Sequence, residues 1–118
     1  MFAIPLPDGG VLIHSPTWLG DDSTFSRIEA VGTPRVLFAP NHFHHLSLAR
    51  FRDRYPQALA VATRTALTRL QAKGHEGLSD VTAAAPLLPA GARFVITHYR
   101  PLTQRDFGPY SSCPRSSP

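Results

Sequence analysis

The run Arg35-Val36-Leu37-Phe38-Ala39 constrains the fold more than any other stretch of the chain. After Arg35 it is apolar at every position, and breakers bound it: Gly32 and Pro34 before, Pro40-Asn41 after. A strand with one wet face alternates apolar and polar residues, whereas a strand buried on both faces does not. The run therefore predicts a central strand. Strands of that kind belong to parallel sheets whose connections are helices.

The flanking segments supply those connections. Phe25, Ile28 and Val31 recur at three-residue spacing behind the cap residues Asp21-Asp22-Ser23, predicting a helix to about Val31 that Gly32 stops and Pro34 confirms. Leu48, Phe51 and Tyr55 mark a second helix face beginning near Leu48 and closed by Pro56. Ala58-Leu59-Ala60-Val61-Ala62 reads as another short buried strand. Thr63 or Thr65 can cap a third helix with Leu67 and Leu70 on its face, ended by Lys73-Gly74. At the start, Phe2–Pro7 and Val11–His14 flank Asp8-Gly9-Gly10 and predict a hairpin, with the Asp-Gly pair taking the positive φ angles of a tight turn. Pro5 and Pro7 lack an N–H, which places that first strand at a sheet edge. The order β-β-α-β-α-β-α is that of an α/β layer on a largely parallel sheet.

Beyond His75 the pattern weakens. Gly77 to Val81 predicts a turn and a short strand, Ala83 to Ala92 an Ala/Pro-rich loop, and Arg93 to His98 a last strand. Residues 99–118 are rich in proline and serine and are expected to be a disordered tail, which leaves 1–98 as the folded unit. A chain of 118 residues with 42% apolar content suffices for one small core.

The formal charge is +4, from twelve Lys and Arg against eight Asp and Glu. The cations are scattered, and the densest group, Arg50-Phe51-Arg52-Asp53-Arg54, carries an acid and reads as a solvated helix face. No basic stripe interleaved with aromatics is present, so a nucleic-acid partner is not expected. The lone Cys113 excludes an internal disulfide and any CxxC knuckle. No window approaches the ~18 consecutive apolar residues of a spanning helix, and no basic leader precedes an apolar core. The expectation is a cytoplasmic protein with no membrane partner. Phosphate-loop, dinucleotide and G-x-S-x-G fingerprints are absent.

The chemistry-bearing feature is the loop after the central run, Pro40-Asn41-His42-Phe43-His44-His45, which holds three of the six histidines. His42 and His44, at i and i+2, can point the same way in an extended loop. Zinc needs three protein ligands beside water to generate a nucleophile, and His14, at the end of a neighbouring strand, is the natural addition to His42, His44 and His45. The competing reading is structural: the His44-His45 pair hydrogen-bonds Asn41 and the Ser15 turn and holds the sheet edge together. His75-Glu76, after the third helix, reads as surface loop.

Asp8-Gly9-Gly10-Val11-Leu12-Ile13-His14 followed by Phe38-Ala39-Pro40-Asn41-His42-Phe43-His44-His45-Leu46 resembles the N-terminal half of the metallo-β-lactamase fold. Three features point to a divergent, uncharacterised branch of that fold: the turn His14-Ser15-Pro16, the Pro40-Asn41…His44-His45 loop, and the step Tyr55-Pro56-Gln57-Ala58. The resemblance covers about Leu6 to Ala62 and implies the first half of an αββα sandwich. Laid on the HxHxDH metal motif, His42 and His45 match histidine positions, His44 stands in place of the Asp, and Pro40 occupies the first His position. A proline ring binds no metal. The resemblance therefore implies a metallo-β-lactamase-like domain without a complete dinuclear centre. The alternative is a mononuclear zinc-dependent hydrolase holding one zinc on His14, His42, His44 and His45. His98 lies where the full fold brings a further ligand, without the surrounding Gly-rich motif. A fold cut to its first half also predicts self-association through an exposed sheet edge.

Overall fold

The computed structural model describes residues 1–92; the expected strand 93–98, with His98, and the tail 99–118 lie outside the described residues. The described chain is a mixed α/β layer. Strands β1 (Phe2–Pro5), β2 (Gly10–His14), β3 (Thr33–Ala39), β4 (Leu59–Ala62) and β5 (Ser79–Asp80) form one sheet in sequential order. β1 pairs antiparallel with β2, and all the other neighbours are parallel. Helices α1 (Ser23–Val31), α2 (His45–Arg54) and α3 (Arg64–Ala72) make the three crossovers, and a 3₁₀ helix, Val81–Leu87, follows β5.

The apolar run does form the central strand. From Val36 to Ala39 every side chain is buried, because alternate residues meet different layers. Leu37 and Ala39, with Val11, Ile13, Ala60 and Ala62, pack beneath Phe25 and Ile28 of α1, Leu48 and Phe51 of α2, and Ala66 and Leu70 of α3. Val36 and Phe38, with Leu12 and Val61, line the opposite face together with Leu6, Val81 and Ala84. All three helices therefore cover one face. Right-handed crossovers that always step in the same direction require this.

The first hairpin is tied differently from the expectation. Its turn is a three-residue loop in which only Gly9 takes a positive φ (88°). The Gly9 N–H donates to the Leu6 carbonyl (3.1 Å) and the Leu6 N–H to the Gly10 carbonyl (2.8 Å), the pattern of a type I turn closed by a G1 bulge. Asp8 contributes a side-chain bond instead: its Oδ1 accepts from the Gly10 N–H at 2.8 Å. The expected edge position of β1 is found. Two further boundaries differ. α2 begins at His45, one turn before Leu48, and the Ala/Pro-rich segment after Val81 is a 3₁₀ helix around Pro86. No helix among the described residues is long and apolar enough to cross a membrane.

Candidate functional site

Parallel α/β sheets place their functional groups at the carboxyl ends of the strands, where the βα loops gather. Here that edge is formed by Ser15-Pro16 after β2, Pro40-Asn41 after β3 and Thr63 after β4. Backbone and hydroxyl bonds tie the three loops together. The Ser15 N–H donates to the Phe38 carbonyl at 2.8 Å. Thr63 Oγ1 donates to the Pro40 carbonyl at 3.1 Å and accepts from the Ala66 N–H at 3.3 Å, so one hydroxyl both caps α3 and holds the histidine loop. The Trp18 backbone N–H donates to Ser47 Oγ at 3.1 Å, fastening the β2–α1 loop to α2. Ser15 adopts φ 59°, an uncommon angle for a residue with a Cβ, and turns the chain sharply at the end of β2. The Arg50 guanidinium stacks 3.6 Å from the centre of the Trp18 ring, and Trp18 itself packs on the helix-covered core.

Of the four histidines named from the sequence, His44 and His45 line this edge with Ser15, Pro40 and Asn41, and His14 does not. His14 lies on the sheet face away from the helices, its ring edge-on to Phe38 (5.2 Å between centroids) and to Phe2 (5.9 Å). Its Nδ1 is buried with no hydrogen-bond partner among the described residues. Burial, then the N-terminal ammonium, hold its pKa below the ordinary 6.5, against a smaller opposing effect of its own backbone. His42 lies against the Phe43 ring, 4.4 Å between centroids. Desolvation and the charges of Arg69, Lys73 and His45 lower its pKa. His44 is the exposed residue just before α2 and makes no side-chain bond to the helix end. It lines, with Ser15, Pro40, Asn41 and His45, a cavity of about 10 Å³, room for about one water.

Among the described residues the direct ring contact between histidines is that of His45 with His75, which the sequence reading placed on the surface. His45 Nδ1 and His75 Nε2 are 3.3 Å apart, with the rings edge-to-face at 84°. One nitrogen must carry the proton and the other must accept it. Desolvation, followed by the charges of His45, Arg52 and Lys73, lowers the His75 pKa and favours its neutral form. No spacing in the sequence joins His75 to the histidine loop; Gly74, with φ 94°, marks only the end of α3. Nor do His44 and His45 hold Asn41 and the Ser15 turn as the structural reading expected: Asn41 Oδ1 accepts from the Phe43 N–H (3.0 Å), and the Ser15 carbonyl from Thr17 Oγ1 (2.9 Å).

A zinc ion needs at least three convergent donors. Among the described residues, no group of three or more His, Cys, Asp or Glu is arranged to hold a metal ion. The set His14, His42, His44 and His45 forms no such group, and His14 lies on the sheet face away from the helices. Comparison with family models, with curated protein sequences and with solved structures finds no match to this chain.

Proposed function

We propose that the chain is a divergent metallo-β-lactamase-like half domain that works without a catalytic metal centre, its histidine loop serving the sheet edge rather than a reaction. One observation carries this reading: among the described residues no three potential ligands are arranged to hold a metal, with His14 on the sheet face away from the helices and His45 against His75, a residue outside the motif. The segregation of α1, α2 and α3 to one face of the sheet is what a half-sandwich reading expects; the face lined by Leu12, Val36, Phe38 and Val61 carries the 3₁₀ helix through Val81 and Ala84. Such a domain binds or scaffolds, and its substrate class is left open by the fold.

The test is metal analysis of the purified protein after saturation with zinc and desalting. Far less than one zinc per chain is expected. Stoichiometric zinc lost in a His42→Ala/His45→Ala variant would overturn the proposal in favour of the mononuclear hydrolase.

A further inference from the structure

β1 is the outermost strand, and no strand among the described residues pairs with its free side. All four of its residues are exposed, and none is charged. Natural edges usually carry lysine or an inward charge that discourages pairing; here the only such devices are its short length and Pro5. Around it, Met1, Phe2, Ile4, Leu19 and Val31 are between 42% and 67% exposed.

The backbone direction along this edge follows from the hairpin. Leu6 aims both its N–H and its carbonyl inward, at Gly10 and Gly9. Backbone groups alternate along an antiparallel strand, so Ile4 and Phe2 also face β2, opposite Leu12 and His14. The outward groups are then those of Ala3, which keeps both N–H and carbonyl, and of Pro5, which has a carbonyl alone.

We propose that this edge is a self-association surface, and that its partner is a second copy of the same chain paired antiparallel about a two-fold axis at Ala3. The register is self-complementary. Ala3 of one copy exchanges both backbone bonds with Ala3 of the other. Pro5 stands opposite Met1, where its missing N–H ends the ladder. Phe2 of each copy lies beside Ile4 of the other, on the face that already carries Phe2 against His14. Aromatic and β-branched residues directly across a seam are favourable pairs, and the two-fold makes this one twice. On the helix side the seam adjoins a largely apolar groove of about 190 Å³ between Met1, Ala3, Leu19, Ile28 and Val31, with Arg27 and the Met1 ammonium as its charges. Five exposed apolar side chains, on the order of 100 Å² each, give roughly 1,000 Å² across two copies, the size at which a specific interface becomes stable. This inference is independent of whether the histidine loop binds zinc.

The experiment is sedimentation equilibrium of the full chain over a wide micromolar range, beside two variants. Ala3→Pro deletes the one outward N–H and leaves the bonds to β2 in place. Phe2→Lys sets a charge beside Ile4 at an already exposed position. The wild type should dimerise. Each variant should weaken the dimer at least about tenfold while its thermal melt stays cooperative. If Ala3→Pro fails to fold, Phe2→Lys decides alone. A wild type that stays monomeric, or a dimer that Phe2→Lys leaves intact, overturns the proposal.

Discussion

At the scale of single residues, His14 shows how a residue type can mislead. An imidazole at the end of a strand beside a histidine loop looks like a ligand, but strand parity decides where it points. Ile13 lies under the helices, so His14 must face the other way, and there it fills space between Phe2 and Phe38. Its Nδ1 is buried without a partner among the described residues, an arrangement that costs about 1–3 kcal/mol. Replacing it with an apolar side chain of similar bulk removes that cost. His14→Leu is therefore expected to raise stability by about 1 kcal/mol, read as a higher denaturation midpoint at unchanged slope. A drop in stability would mean that the ring makes a bond through its other nitrogen that matters more. The parity that settles His14 was available in the sequence once the apolar run Val11-Leu12-Ile13 was read as buried on both faces. The His45–His75 contact was not, because it depends on how far α3 lies from α2.

At the scale of elements, the central strands and the helix faces were legible because each rests on a period. The run Val36 to Ala39, the strand ending at Ala62, and the faces Phe25/Ile28 and Leu48/Phe51 are all found where apolar spacing puts them. Termini that lack an apolar residue were not legible. The first turn of α2 is His45-Leu46-Ser47, with Leu46 exposed and no side-chain cap at His44, so nothing in its pattern announces a helix. The 3₁₀ helix was hidden by its alanines and Pro86, although Asp80 had a signal: its carboxylate accepts from both the N–H and the hydroxyl of Thr82. Thr63 is the element-level joint of the molecule, capping α3 while holding the Pro40 carbonyl. Thr63→Ala should cost about 1–2 kcal/mol in urea unfolding, and amide shifts should spread from α3 into the loop 40–45. Thr63→Ser, which keeps the hydroxyl, should recover most of the loss. Shifts confined to α3 would mean that the bond to Pro40 carries no weight. Between α1 and α2, Glu29 plays a comparable part, accepting from Arg54 (3.1 Å) and from the Tyr55 hydroxyl (2.7 Å); burial and this carboxylate both push the Tyr55 pKa up.

At the scale of the whole molecule, three histidines have their pKa lowered by the fold: His14, His42 and His75. In the unfolded chain each takes up its proton near pH 6.5, and in the folded chain only at lower pH. Between those values the unfolded state holds more protons, so stability rises with pH there. The contribution is present above about pH 6.5 and is lost as pH falls through the folded values. Denaturation midpoints measured from about pH 7.5 down to about 5 should therefore decline, and the decline should be shallower in His14→Leu. A flat profile would remove these three groups from the account. The carboxyl edge also follows from the topology. Strand order is sequential from β1 to β5, so the crossovers never reverse direction and leave no crevice between oppositely turning loops. Among the described residues this edge holds a cavity of about 10 Å³.

That same sequential order has a consequence for how the chain is made. Each βα unit docks on the strand synthesised just before it, so every pairing among the described strands joins neighbours in the chain. Each such pairing closes the shortest loop a helical crossover allows, and loop-closure entropy grows with loop length. A ribosome delivering this stretch from its amino end would present each new strand with a finished edge to join. The sheet can thus grow outward from the hairpin at the pace of translation, one crossover at a time, with no early strand held waiting for a distant partner.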